Sequence, residues 1–379
     1  MRSPSVEPSS GTLALPLGET ALDTGARWSA RLSDKEDNAF DAIRLVLATL
    51  VVFEHSFFLV ANRYDSEPVY LWTHGQTNSG ALAVYMFFAI SGFLVTRSYL
   101  LTASLPRYLA KRIARIVPGF WVATFVACVI LAPLAADSAS SFFAAQKWPS
   151  LIAQGLALRQ VDVSGILAGN PVHLIHGTLW TIKYEFDCYL GVALLGSLGL
   201  LAPRRAWAAY ALIMIGLIAA RIGWIHLPVF DHGIQALLIS SPDQWPYLFP
   251  FFIAGSAFYI YRDYVPKLLP LCLLAILLIV ISSMGGGLYW ALLLGATYLV
   301  VYLALSASVK MELFGSRVDL SYGVYLYGWP VGQLVFYFSG QRLTSYPLFF
   351  LSMAITLMLA YASWLFVERP ALRFVARRR

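Results

Sequence analysis

FDAIRLVLATLVVFEHSF, residues 40–57, decides how this chain folds. It belongs to an apolar run long enough to cross a bilayer, which takes about 20 residues of helix. Yet it carries Arg44 and His55. At about 100° per residue the interval between them is roughly three turns, so both side chains leave nearly the same face, roughly 16 Å apart. Ionisable groups inside a span are costly and turn toward a protein interior or a wet cavity. The helix therefore offers a guanidinium near one membrane surface and an imidazole most of the way to the other. That pair suits an anionic donor held at one end and proton chemistry at the other. Asp41, three residues before Arg44, is placed to pair with it. Glu54 lies about 100° from His55 around the helix and is expected to face elsewhere.

Outward from this stretch the composition agrees. Of 379 residues, 59% are hydrophobic and 12% charged, with a mean hydropathy of +0.68. Soluble domains carry about twice that charged share. The expected fold is all-α, a polytopic integral membrane protein with about ten transmembrane helices around a central cavity. The spans fall near 40–61, 81–101, 116–135, 174–201, 206–225, 246–261, 267–283, 288–306, 320–338 and 344–366. The 11 Trp and 21 Tyr suit interfacial belts.

Of the 27 Lys and Arg, 20 fall on one side of these spans, and only Arg63, Lys147, Arg159, Arg221 and Arg342 on the other. By the positive-inside rule both termini are cytoplasmic, as in a multi-pass protein of the cell inner membrane. The net charge of +7 follows this topology and the membrane lipid headgroups, with no nucleic-acid partner implied. Cys128, Cys188 and Cys272 lie in apolar runs without CxxC spacing, so neither a disulfide nor a metal is expected. Residues 1–36 read as a disordered cytoplasmic tail without a signal peptide. Residues 37–375 read as the transmembrane domain and 376–379 as a basic cytoplasmic C-terminus. Gly285–Gly287 reads as a tight external turn, and SLIAQGLAL, inside the long connection 136–173, as a re-entrant or surface helix.

Further clusters carry candidate chemistry. GTLWTIKYEFDCYL places Lys183, Glu185 and Asp187 in an apolar helix. Lys183 and Asp187, at i and i+4, neutralise each other. Glu185 faces inward, where a carboxylate could orient an imidazole and stabilise its protonated form. Trp180 serves either as a packing residue or as a piece of the cavity wall. In FFAISGFLVTRSYL, Ser91-Gly92 permits close helix approach. No GxSxG elbow surrounds that serine, which argues against a nucleophile. Arg107, Lys111, Arg112 and Arg115 form a basic cytoplasmic loop, either topogenic or able to grip phosphates bidentately. In RVDLSYGVYLYGWPV, Tyr322, Tyr325 and Tyr327 add hydroxyls to an apolar span that Trp329-Pro330 should bend. No P-loop, HExxH or EF-hand pattern occurs, and no metal site is implied.

Together these segments resemble the membrane-bound acyltransferase-3 family. The resemblance rests on Arg44 and His55 with Phe40-Asp41 before them, on Phe87 to Leu94, and on Arg112 to Pro118. It continues through Leu179 to Tyr189 with Glu185 in place, Ser321 to Val331, and Glu368 to Pro370. It runs from about residue 38 to 375. Gly328 stands where many members carry a second histidine, so a mechanism needing that imidazole is not expected here. Nor is the extracytoplasmic hydrolase-like domain of some members expected.

The resemblance implies transfer of an acyl group, commonly acetyl from cytoplasmic acetyl-CoA or another acyl-CoA. The acceptor would be a hydroxyl of a saccharide or lipid-linked glycan. Arg44, Arg112, Arg115 and Asp41 would form the donor site, with His55 as general base or acyl carrier. Glu185 would orient His55, while Ser91, Trp180, Tyr322, Tyr325 and Tyr327 would line the cavity. On composition alone, a proton-coupled transporter of a polar solute, with Arg44, His55 and Glu185 as its relay, is the alternative.

Overall fold

Hydrocarbon offers no partners to backbone N–H and C=O groups, so an apolar chain of this kind closes its hydrogen bonds within helices. The computed structural model describes residues 38–102, 104–228, 235, 239–306, 312–313 and 316–377. Each expected span coincides with a helix. In chain order these are α1 (Phe40–Ala61), the short α2 (Pro68–Trp72), α3 (Ser79–Leu100) and α4 (Leu105–Phe125), which runs on through a π turn and a 3-10 turn to Ala135. Short helices α5 (Ala139–Ala145) and α6 (Trp148–Leu156) follow, then α7 (Trp180–Ser197), α8 (Pro203–Arg221) and α9 (Trp245–Ile260). The chain continues through α10 (Leu269–Gly285), α11 (Leu288–Ser306, with a π turn inside it), α12 (Ser321–Phe338) and α13 (Ser345–Ser363). A π turn leads from α13 into α14 (Arg369–Arg377). One antiparallel pair of two-residue strands, Glu312–Leu313 with Ser316–Arg317, precedes α12.

Among the described residues five helices are long and apolar enough to cross a membrane by length and composition: α1, α3, α4 with its extension, α11, and α13 with its extension. The remaining long helices are shorter, carry charge, as α7 does with Lys183, Glu185 and Asp187, or, like α12 with its tyrosines, glycines and Gln333, are less apolar. The tail expected over residues 1–36 lies outside the described residues.

Three boundaries differ from expectation. The basic segment from Arg107 to Arg115 is not a loop but the opening turns of α4. Residues 174–179 are not helical: Trp329 Nε1 and Gln333 Nε2 donate to the Leu174 carbonyl, and Gln333 Nε2 also to that of Val172, pinning this chain as an open connection. The last helix continues through Arg377, so the segment from 376 is partly helical. The glycine turn is as expected: Gly286 and Gly287 take φ of 94° and 81°, where a side chain would be strained.

Small residues set the closest crossing. A Cβ on Gly92 of α3 would come within 1.9 Å of the Phe252 carbonyl oxygen, and one on Gly255 of α9 within 1.9 Å of that of Ala89. The two backbones are therefore in contact, as small residues allow in membrane bundles. Polar groups on these helices pair with one another: Ser256 bonds Thr96 of α3 and, at 2.5 Å, the Tyr210 hydroxyl of α8. Helix α12 is buried along nearly its whole length, packed against α1 and α13. A Cβ on Gly328 would stand 2.4 Å from Val52 of α1, so α1 fills the space that a larger residue there would need.

Candidate active site

Helix α1 runs between two differently built cavities. At its N-terminal end, Arg44 Nη1 donates to Asp319 Oδ2 at 3.1 Å, and Arg115 Nη2 donates to the same oxygen at 2.6 Å. Asp319 Oδ1 in turn accepts from the Ser321 hydroxyl (2.6 Å) and backbone N–H (3.1 Å). Burial would raise this carboxyl, but the Arg115 and Arg44 guanidiniums hold it well below the usual carboxylate range. Asp41 acts electrostatically on Arg115. The cross-bundle partner of Arg44 is thus Asp319, 275 residues away in sequence.

Around this cluster lies a cavity of about 250 Å³ lined by Arg44, Ser91, Lys111, Arg112, Arg115, Glu185 and Tyr189. Leu372, Val375 and Ala376 of α14 also line it, a contribution that the sequence pattern does not reveal. Arg112 Nε has no partner among the described residues, while its guanidinium lies 5.7 Å over the Tyr189 ring.

At the other end, His55 opens on a cavity of about 530 Å³. Aromatic rings dominate its wall: Phe58, Tyr64, Tyr85, Trp180, Tyr247, Tyr325 and Trp329. Asn78, Gln160, Gln244, Thr178 and Thr181 add neutral polar groups, and no Lys or Arg lines it among the described residues. The His55 ring meets that of Trp329 edge to face at 4.7 Å. Its Nδ1 lies 2.5 Å from Glu54 Oε2. The angle falls short of a hydrogen bond, and neither ring nitrogen has a hydrogen-bond partner among the described residues.

Between the two sits a neck of about 40 Å³. Its wall shares Arg44 and Glu185 with the basic cavity, and Val84, Thr181 and Tyr325 with the His55 cavity. Tyr322 and Ser321 complete its polar lining. The Tyr322 hydroxyl donates to the Ile116 carbonyl at 2.8 Å, and that of Tyr325 bonds Thr181 and the Thr178 carbonyl. Three cavities thus lie in series along the face of α1 that carries Arg44 and His55.

Several expectations are altered by this geometry. Glu185 is not beside His55: its Oε1 accepts from Ser91 (2.8 Å) and Tyr189 (2.5 Å), at the basic end. The carboxylate beside the imidazole is Glu54, which was expected to face elsewhere. A 100° separation of Cβ directions does not keep apart side chains long enough to converge on one cavity between them. Tyr327 lines none of the three cavities. Ser91, Trp180, Tyr322 and Tyr325 do line them, and Lys183 pairs with Asp187 as their spacing suggested.

Asp319, Tyr64 and Trp329 are site residues that the sequence pattern does not single out. His176 is fully buried in the connection before α7, with Nδ1 3.3 Å from Thr178 Oγ1. Its Nε2 has no hydrogen-bond partner among the described residues. Among the described residues no group of three or more His, Cys, Asp or Glu is placed to hold a metal.

Known proteins match along the same stretch. The model of a family described as an acyltransferase domain matches residues 37–365. An O-acetyl transferase of Shigella phage Sf6 is 29% identical over 359 residues, covering 90% of this chain and 97% of the relative. Nodulation protein 10 of Rhizobium leguminosarum bv. viciae is 27% identical over 380 residues, covering 90% and 96%. No solved structure matches. The family match favours acyl transfer over solute transport as the use of a bundle with these intramembrane charges. The chain belongs to the acyltransferase-3 family and is a membrane acyltransferase.

Proposed function

We propose that this protein is an O-acyltransferase that moves an acetyl group from cytoplasmic acetyl-CoA to a hydroxyl of a saccharide or lipid-linked glycan. The observation that carries this reading is the series of three cavities along α1, basic at one end and aromatic around His55 at the other. In it the basic end faces the cytoplasm from the inner membrane, with both termini on that side, as the placement of Lys and Arg supports. CoA is a polyanion, and Arg112, Lys111 and the Arg44–Arg115 pair line the cavity its phosphates would enter. A pantetheine arm is narrow and long enough to pass the neck and bring the thioester roughly 16 Å along α1 to His55.

The acceptor enters the larger cavity. Flat aromatic walls with a few amides and hydroxyls suit the apolar faces and ring hydroxyls of a sugar. His55 acts there as the base. It takes the proton of the acceptor hydroxyl as the oxygen attacks the thioester carbonyl carbon. The tetrahedral intermediate collapses with cleavage of the carbon–sulfur bond, and the imidazolium returns its proton to the departing CoA thiolate. Ester and free CoA are the products. The Thr181 and Tyr325 hydroxyls, at the junction of neck and cavity, are placed to turn toward the developing oxyanion. Glu185 belongs to the donor end, where Ser91 and Tyr189 hold it facing the arginines. The relative named an O-acetyl transferase supports the acetyl group and the oxygen acceptor.

The test is release of CoA from acetyl-CoA by protein in nanodiscs, with and without membrane glycan. Wild type should release CoA and label the glycan. His55→Ala should insert normally and do neither, because general-base assistance contributes about 10²–10⁴-fold. Near wild-type turnover by the variant would remove His55 from the chemistry.

A further inference from the structure

The structure assigns to Glu54 the positioning of His55, an inference that rests on the proposed acyl transfer and goes one residue beyond it. Glu54 is only 3% exposed and is the one carboxylate among the described residues in the wall of the His55 cavity. A buried carboxylate without compensation is costly, so its seat needs a reason. The seat is built from three sides. Tyr64, on the connection after α1, stands beside the carboxylate in the same cavity wall. Gly80, in the first turn of α3, leaves it room: a Cβ there would stand 2.7 Å from Oε2. His55 Nδ1 stands 2.5 Å from that same oxygen. On the ring's other flank Trp329 closes in edge to face, fixed by its N–H to the Leu174 carbonyl at 2.8 Å.

Held this way, the imidazole keeps its one proton on Nδ1, against the carboxylate, and leaves the lone pair of Nε2, which has no hydrogen-bond partner among the described residues, to take a proton. When Nε2 takes the acceptor's proton, the resulting imidazolium lies against a negative carboxylate, and the pair as a whole is neutral. Nε2–H then returns that proton to the CoA sulfur, and Glu54 ends as it began. No proton passes to Glu54 itself. The present contact is a close approach without hydrogen-bond alignment, and catalytic hydrogen bonds commonly tighten only when substrate is bound. Glu185 cannot share this task, being tied to Ser91 and Tyr189 at the basic end.

Glu54→Gln keeps the shape of the side chain and removes the charge. It should bind acetyl-CoA as wild type does and keep its KM for the donor, while kcat falls roughly 10²-fold or more. Glu54→Asp should recover some of that loss. Because the two residues act as a unit, Glu54→Gln in a His55→Ala background should slow the residual rate no further. Gly80→Ala, which leaves both groups in place and crowds the carboxylate, should also lower kcat without changing donor affinity. It serves as the second variant if Glu54→Gln inserts poorly. Wild-type kcat in Glu54→Gln or Gly80→Ala, a loss confined to KM, or losses that multiply in the double variant would overturn the assignment. Should His55→Ala itself stay active, the failure lies in the proposed chemistry. Should His55→Ala be inactive while Glu54→Gln is unimpaired, only the role of Glu54 falls.

Discussion

The two ends of α1 handle buried charge in opposite ways. At the basic end two guanidiniums converge on one carboxylate, Asp319, so the cluster keeps a net positive charge and a further arginine, Arg112, beside it. At the His55 end one carboxylate meets one imidazole inside an aromatic wall without Lys or Arg among the described residues. The first arrangement suits a polyanion arriving from water. The second suits a neutral acceptor and a proton that leaves and returns. Between them the neck of about 40 Å³ keeps the ends apart while Glu185, Thr181 and Tyr325 belong to its wall. On the proposed function, this difference lets one helix serve binding at one end and chemistry at the other.

If this division is real, substitutions at the two ends should fail differently. The largest effect is expected from Asp319→Ala, which strands Arg44 and Arg115 without their shared anion. Breaking a buried pair by removing one partner costs about 3–5 kcal/mol, so thermal unfolding in detergent should move to clearly lower temperature. The sign of its pH dependence follows from the depressed carboxyl. Its contribution is fully present above the unfolded value of about 4 and is lost as pH falls toward the native value. The gap between wild type and variant should therefore stay constant near neutral pH and close on acidification.

A smaller effect, of a different kind, is expected from Arg112→Ala. Among the described residues Arg112 reaches only Ser98, at 3.4 Å, and the face of Tyr189, so the fold should lose little. Hydrogen bonds to charged groups are worth about 1.5–3 kcal/mol, so acetyl-CoA affinity should weaken roughly tenfold to a hundredfold in calorimetry with kcat at saturation unchanged. A drop in kcat instead would blur the line between the ends. Smallest is Trp329→Phe, which keeps an aromatic ring by His55 and removes the N–H to Leu174. A loss of about 1 kcal/mol should appear as a several-fold lower kcat with donor affinity intact. A weakened donor affinity would show that the His55 cavity also reads CoA.

How much of this was legible in the sequence follows from the range of each interaction. The helices were, because hydropathy reports what hydrocarbon demands of every backbone group. Lys183–Asp187 was, because i and i+4 are neighbours on any helix, and Ser91-Gly92 was, because a close crossing needs a small residue somewhere on its face. The partner of Arg44 was not, since nothing local to Arg44 points to a residue 275 positions on. Glu54 was misjudged because helical angle describes where a side chain starts and not where it ends. Tyr327 was misjudged because α12 is buried on all sides, so its face could not be read from polarity. The open chain at 174–179 was hidden because its cause is side chains of α12, far along the sequence.

The central claim, donor at one end and chemistry at the other, is tested most directly by measuring acetyl-CoA affinity and CoA release on the same preparations of Arg44→Ala and His55→Ala. The account predicts that Arg44→Ala binds acetyl-CoA much more weakly, while His55→Ala binds it as wild type does and releases no CoA. Weakened donor binding in His55→Ala alongside unchanged binding in Arg44→Ala would contradict it.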